Sequence, residues 1–197
     1  MTPVGTISID HRPEPAARQQ VLPNGVMGML LFVFTEAMVF AGMIAAHTIA
    51  KAGATEWPPF GQPRLPVAIT MVNTAALLLS GLVLIWAHRL WKRSPADARR
   101  PLLWATLLGI FFVVAQGREW VALIGEGLTI TSSTYGGFFY LIVGTHALHA
   151  VAAILGLVWA RRRAGAGKLT AAQFSTVAIF WYFVVLAWPA LYLRVYL

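Results

Sequence analysis

Cysteine is absent from this sequence and charge is scarce. Without thiolates the chain cannot supply ligands to an iron-sulfur cluster, a dinuclear copper centre or a structural zinc of the cysteine type. Nor can it form the disulfides from which a compartment is read. Only 11% of the 197 residues are charged, too few to cover the surface of a soluble domain of this size. Internal repeats, low-complexity stretches and the paired interrupted helices of a transporter are also missing, which weighs against a carrier. The first residues, 1–24, hold Asp10, Glu14 and three prolines before Gln19 but no apolar core. They read as a polar cytoplasmic tail and not as a cleavable signal.

Apolar residues, by contrast, reach 58% and the mean hydropathy is +0.70, so the solvent around most of the chain is lipid. Five apolar runs stand out at 26–50, 67–91, 102–124, 135–160 and 174–197. At about 1.5 Å per residue each reaches or exceeds a hydrocarbon core of roughly 30 Å, so modest tilt is expected. The runs are continuous and do not alternate, and every backbone polar group in lipid must bond internally, so helices are expected and a barrel is not. The fold class is therefore all-α: a polytopic bundle of five transmembrane helices over 26–197, preceded by the tail at 1–25. No connection is long enough to form a second domain.

The net charge of +8 does not point to nucleic acid, because the basic residues gather in short stretches between apolar runs. Arg12 and Arg18 in the tail, Arg89, Lys92, Arg93, Arg99 and Arg100 in the second connection, and Arg161, Arg162, Arg163 and Lys168 in the fourth share one side. Only Lys51, Arg64, Arg118 and Arg194 fall on the other. Positive residues stay inside, so the N-terminus is expected in the cytoplasm and the C-terminus outside. Trp57, Trp91, Tyr135, Trp159, Tyr192 and Tyr196 at the run ends suit the two interfacial belts.

Glu36 lies deep in the first run, where a carboxyl must be partnered, protonated or functional. A neutral acid bonded to a neighbouring helix and a role in proton handling both remain open. His146 and His149, three apart on one face of the fourth helix, could ligate a metal, but they cannot offer two axial ligands to opposite faces of a haem and no third ligand is evident. Hydrogen bonding between helices is the preferred reading, and no metal site is assigned. Because His149 and Glu36 lie at similar depths, a contact between them is expected to link the first and fourth helices. Gln116 and Glu119 share a face of the third helix and read as polar glue, with Arg118 snorkelling to water. His11, His47 and His88, near ends or in the tail, read as interfacial or solvated.

Several blocks resemble subunit III of the haem-copper oxidases. Met27 to Gly42, with Glu36 at its centre, resembles the family's glutamate-bearing helix. Gln116, Glu119 and Trp120 match a Gln-x-x-Glu-aromatic helix, followed by Tyr135-Gly136-Gly137-Phe138-Phe139 and by Gly144-Thr145-His146-Ala147-Leu148-His149, similar to the paired-histidine helix. Phe180-Trp181-Tyr182-Phe183-Val184-Val185 resembles the closing helix, except that Tyr182 and Val185 replace the family's histidine and aspartate. The match runs in order from Met27 to Leu197 and starts at what resembles the third of the long form's seven helices, so the short five-helix bacterial form is expected.

This resemblance implies a subunit of a respiratory oxidase in the bacterial inner membrane, which itself holds no haem or copper. The expected partners are oxidase subunits I and II, membrane phospholipids bound in a cleft, and cytochrome c or quinol through the complex, with a role in proton supply and durability. Glu36, Gln116, Glu119, His146, His149 and Trp181 are the candidate lipid-related, proton-related or interhelix polar positions; no catalytic residue is assigned. The alternatives are an accessory subunit of a nitric oxide reductase or quinol oxidase, and a small transporter with Glu36 and His149 on its path.

Overall fold

A computed structural model describes residues 22–197. It contains five long helices: α1 (Asn24–Gly53), α2 (Val67–Trp91), α3 (Arg99–Gly125), α4 (Thr134–Gly165) and α5 (Ala171–Leu191), the last continued by a π-helical turn, Tyr192–Tyr196. Each of the five is long and apolar enough to cross a membrane. All but the last residues of the polar tail at 1–25, with His11, Arg12 and Arg18, lie outside the described residues.

The helix limits follow local chemistry. Pro23 and Pro66 immediately precede α1 and α2, and Pro101 sits in the first turn of α3, where a missing N–H breaks no bond. Ser133 caps α4 by accepting from the Gly136 N–H at 3.1 Å. Thr170 and Gln173 form a reciprocal capping box that starts α5, both bonds at 3.2 Å. Two glycines stop helices by turning left-handed. Gly127 (φ 93°) lets the Leu128 N–H reach the Leu123 carbonyl, and Gly167 (φ 68°) lets the Lys168 N–H reach that of Arg163.

α4 continues past its apolar run through Arg161, Arg162 and Arg163 to Gly165. Long cationic side chains favour helix and can leave lipid while their backbone remains bonded, so hydropathy marks the lipid boundary and the cap marks the helix boundary. At the other extreme α5 stops at Leu191, two residues after Pro189, and passes into the π-helical turn. The proline lacks the N–H that would continue the regular ladder, and wider-turn bonding takes over.

Since lipid chains are as apolar as leucine, helix association here rests on close packing and interhelical hydrogen bonds. α5 occupies the middle, touching α1, α2 and α4, while α2 and α4 each also pack on α3. α2 turns inward a stripe of small and polar residues, Thr70, Asn73, Thr74, Leu77, Ser80 and Gly81. Into that stripe fit the two fully buried tryptophans of α5. Trp181 Nε1 donates to Ser80 Oγ at 3.1 Å, Ser80 donates on to the Ala105 carbonyl of α3 at 2.7 Å, and Trp188 Nε1 donates to Thr74 Oγ1 at 2.8 Å. Gly109 of α3 makes the room: a Cβ there would come within 2.5 Å of the Trp181 ring.

α1 is the peripheral helix. It packs mainly on α5 and α4, and of its own residues Val26, Phe40 and His47 are buried. Its other faces present Leu31, Phe34, Met38 and Val39 outward. His47 corrects the sequence expectation. It is buried, 2% exposed, between Trp57 and Phe138 at ring distances of 5.4 and 5.7 Å. The α1–α2 connection folds Trp57 back over it. His88 is likewise half-buried, with its ring 5.0 Å from that of Phe174 and its Nε2 3.3 Å from Ser175 Oγ.

Candidate functional site

Three groups of interacting polar residues stand in the membrane interior, each with a member on α4, on α5 or on the π-helical turn that continues it. The first joins the peripheral helix to the bundle. Glu36 projects from the middle of α1, and its Oε2 lies 3.1 Å from Nε2 of His149 on α4. It is the one contact between an acidic and a basic side chain within ion-pair distance among the described residues. Both side chains are largely covered, 21% and 12% exposed. The rings of Phe40, Phe180 and Phe183 stand 5.6, 6.0 and 6.2 Å from the imidazole, and Phe32 stacks on it at 6.4 Å.

The hydrogen bonding of the ring determines what this pair is. His149 Nδ1 lies 2.7 Å from the Thr145 carbonyl, one turn back along α4. A carbonyl only accepts, so Nδ1 carries hydrogen. A bare Nε2 facing a bare carboxylate would set acceptor against acceptor, so one proton lies between them. The pair is either carboxylic acid with neutral imidazole or carboxylate with imidazolium, and it is net neutral both ways. That satisfies the demand for a partner at this depth. Both ring nitrogens of His149 are thereby committed, and neither is left to bind a metal.

His146, one turn earlier on α4, serves a different interface. The two histidines do not converge: His149 reaches α1, whereas His146 is 1% exposed and lies against Trp188 of α5 at 4.9 Å and Phe112 of α3 at 6.4 Å. Close by, Gln116 of α3 donates through Nε2 to the Tyr196 hydroxyl at 2.8 Å. The π-helical turn presents that hydroxyl by turning both Tyr192 and Tyr196 inward, their rings 5.7 Å apart. Glu119, half-buried one turn beyond Gln116, joins neither pairing.

Trp181 belongs to the third group, the Ser80 relay from α5 through α2 to α3. Ser80, Thr74 and Tyr196 were not singled out by sequence reasoning as partners. The signal for the first two was the inward stripe of small and polar residues at helical spacing on α2. Val185, standing where the resemblance leads one to expect an aspartate, packs its methyls on Gly81, where a Cβ would meet Val185 Cγ1 at 2.9 Å. Tyr182, in the place of the histidine, is half-buried between two apolar grooves flanking Leu186 on α5, about 480 and 500 Å³ in volume.

At the end of the bundle where α4 stops and α3 starts, Arg99, Arg100, Arg161 and Arg162 line one recess of about 410 Å³ with Leu103. Arg163, alongside, places its guanidinium 5.2 Å over the Trp159 ring. A ring of tryptophan beside guanidinium groups is the composition of a membrane interface.

Comparison with known proteins agrees with this architecture. The sequence profile described as "Cytochrome c oxidase subunit III" matches residues 15–197. "Probable cytochrome c oxidase subunit 3" of Nocardia farcinica is 33% identical over 184 residues, covering 88% of each chain. The Mycobacterium leprae protein of the same description is 34% identical over 181 residues, again covering 88% of both. "Cytochrome c oxidase subunit 3" of Locusta migratoria is 32% identical over 180 residues, covering 86% of this chain and 67% of its relative.

Proposed function

The chain belongs to the cytochrome c oxidase subunit III family, and from that premise we propose how its polar pairs, arginine recess and apolar grooves support the oxidase. As a member it is a non-catalytic, multi-pass membrane subunit of a haem-copper oxidase, an oxidoreductase complex with other oxidase subunits. The proposal begins where membership ends. Subunits I and II are the expected neighbours, holding the haem and copper and meeting cytochrome c or quinol. The outward apolar face of α1, with Leu31, Phe34 and Met38, suits helix-to-helix or lipid packing.

The observation that carries the reading is the Glu36–His149 pair. It fastens a helix that buries little of its own surface, and it stores a proton at mid-membrane depth without net charge. Its role is twofold: to hold α1 in place through repeated turnover, and to contribute to proton uptake by the neighbouring catalytic subunit. Bound phospholipid completes the assembly. The four arginines of the recess favour anionic headgroups by about 1 kcal/mol each, and the grooves beside Leu186 offer apolar walls to acyl chains. The positive-inside rule sets this recess and the N-terminus on the cytoplasmic side of a bacterial inner membrane, with the C-terminus outside.

The test is purification of the tagged chain in mild detergent, with a reduced-minus-oxidised visible spectrum and mass identification of the accompanying chains and lipids. Haem, two larger oxidase subunits, retained anionic phospholipid and oxygen consumption that outlasts that of a Glu36→Gln variant are expected. A complex whose activity over successive turnovers is indifferent to Glu36 would overturn the twofold role.

A further inference from the structure

A cavity of about 100 Å³ lies between α3, α4 and α5, with Phe112, Val113, Val143 and Trp188 among its walls. Gln116, Trp120 and His146 line it as well, but their unpartnered polar atoms are covered. The surface that remains to the cavity is almost wholly apolar.

Its mouth is built from small residues. Gly117 of α3 and Ala147 of α4 both line the cavity and are both half-buried. Because α3 and α4 pack on one another, the opening is a local gap in their seam, left where neither residue has a side chain long enough to close it. A Cβ on Gly117 would meet no neighbouring group within 4 Å. Gly117 stands about two turns from the C-terminal end of α3, and Ala147 lies near the middle of α4. The mouth therefore opens within the apolar span, onto acyl chains and not onto water.

The chemistry of the occupant follows from these walls. An apolar cavity offers water no hydrogen bond and stays dry, and an engineered one of about 150 Å³ takes up benzene or xenon. This cavity is smaller, which favours a guest of one or two atoms over an aromatic ring. The guest must first dissolve in lipid, as small apolar molecules do more readily than they dissolve in water. Among such molecules dioxygen is the one that a haem-copper oxidase draws in continuously. We propose that the cavity between α3, α4 and α5 is a binding site for dioxygen, entered from the lipid through the gap at Gly117 and Ala147. Dioxygen needs no hydrogen bond here, and dispersion contacts with Phe112, Val143 and Trp188 hold it. Those contacts are individually weak, so the guest exchanges with the membrane and is not trapped. The choice of dioxygen rests on membership of the oxidase family, whereas the apolar site itself does not.

The test uses crystals of the intact, cyanide-inhibited oxidase complex pressurised with xenon, whose anomalous scattering marks its position. A xenon peak against Phe112 and Trp188 is expected. It should weaken several-fold when dioxygen in excess is applied together with the xenon. The same loss is expected in Gly117→Leu, where the new Cβ has room and the side chain fills the gap. Xenon bound elsewhere in the complex but absent here would overturn the proposal, as would a continuous tube of density from an acyl chain occupying the mouth. A xenon peak indifferent to dioxygen would refute dioxygen as the guest while leaving membership of the oxidase untouched.

Discussion

Glu36 and His149 share one proton across 3.1 Å, because the Thr145 carbonyl already takes the hydrogen on the other ring nitrogen. The same contact is mechanical and electrostatic, and its two aspects separate by substitution.

Glu36→Gln keeps an N–H that donates to His149 Nε2 but removes the titratable proton. Insertion and copurification with the oxidase should match the parent, while oxygen consumption should decay sooner over successive turnovers. Glu36→Lys instead sets a cation beside His149 within lipid with no carboxyl to balance it, at a cost of about 3 kcal/mol on insertion scales. Haem recovered per tagged chain should drop sharply for Lys and hold for Gln; equal recovery would remove the buried-acid reading.

Gly109→Ala should be disproportionately harmful for one methyl group. The new Cβ meets the Trp181 ring at 2.5 Å, and Trp181 is itself pinned to Ser80, so the ring cannot simply retreat. Overpacking of this kind costs about 1–3 kcal/mol. Gly42→Ala on α1, where a Cβ meets nothing within 4 Å, should be neutral or slightly stabilising. Thermal unfolding of the two variants in one detergent compares them directly.

Ser80→Ala strands the Trp181 indole and leaves the Ala105 carbonyl without its extra donor, an expected loss of about 1–3 kcal/mol. Trp181→Phe removes the stranded N–H. A double-mutant cycle should then show Ser80→Ala costing much less in the Phe background; additive losses would mean the relay contributes nothing beyond packing.

The five spans and the Glu36–His149 contact were legible because each rests on one dimension: apolar length for the spans, depth from the membrane surface for the pair. His47 was misread by the same logic. Its position near a helix end suggested water, but burial was decided by Trp57, which the following connection brings back over it. The Ser80–Trp181 relay escaped because a serine within an apolar run carries no local signal; only the spacing of Thr70, Asn73, Thr74, Leu77, Ser80 and Gly81 marks the inward face. Tyr196 was assigned to an interfacial belt by its place at a run end, but the π-helical turn past Pro189 buries it and sets its hydroxyl on Gln116.

Replacing Arg99, Arg100, Arg161 and Arg162 together by Gln should lower the anionic phospholipid that survives purification, with phosphatidylethanolamine little changed. Native mass spectrometry of the complex reads both. Proportional loss of the two lipids would mean the recess has no preference for charge.

The peripheral packing of α1 sets an order of events during synthesis. The ribosome delivers α1 ahead of the other four helices, and the helices it leans on, α4 and α5, follow α2 and α3. Through that interval Glu36 has no His149 to meet, so the nascent helix must wait in the bilayer with its acid protonated or sheltered by something else. Closure of α1 onto the bundle is then a late step, completed only after α4 and α5 have been made. The insertion machinery, or an already folded oxidase partner, is the natural occupant of that waiting period.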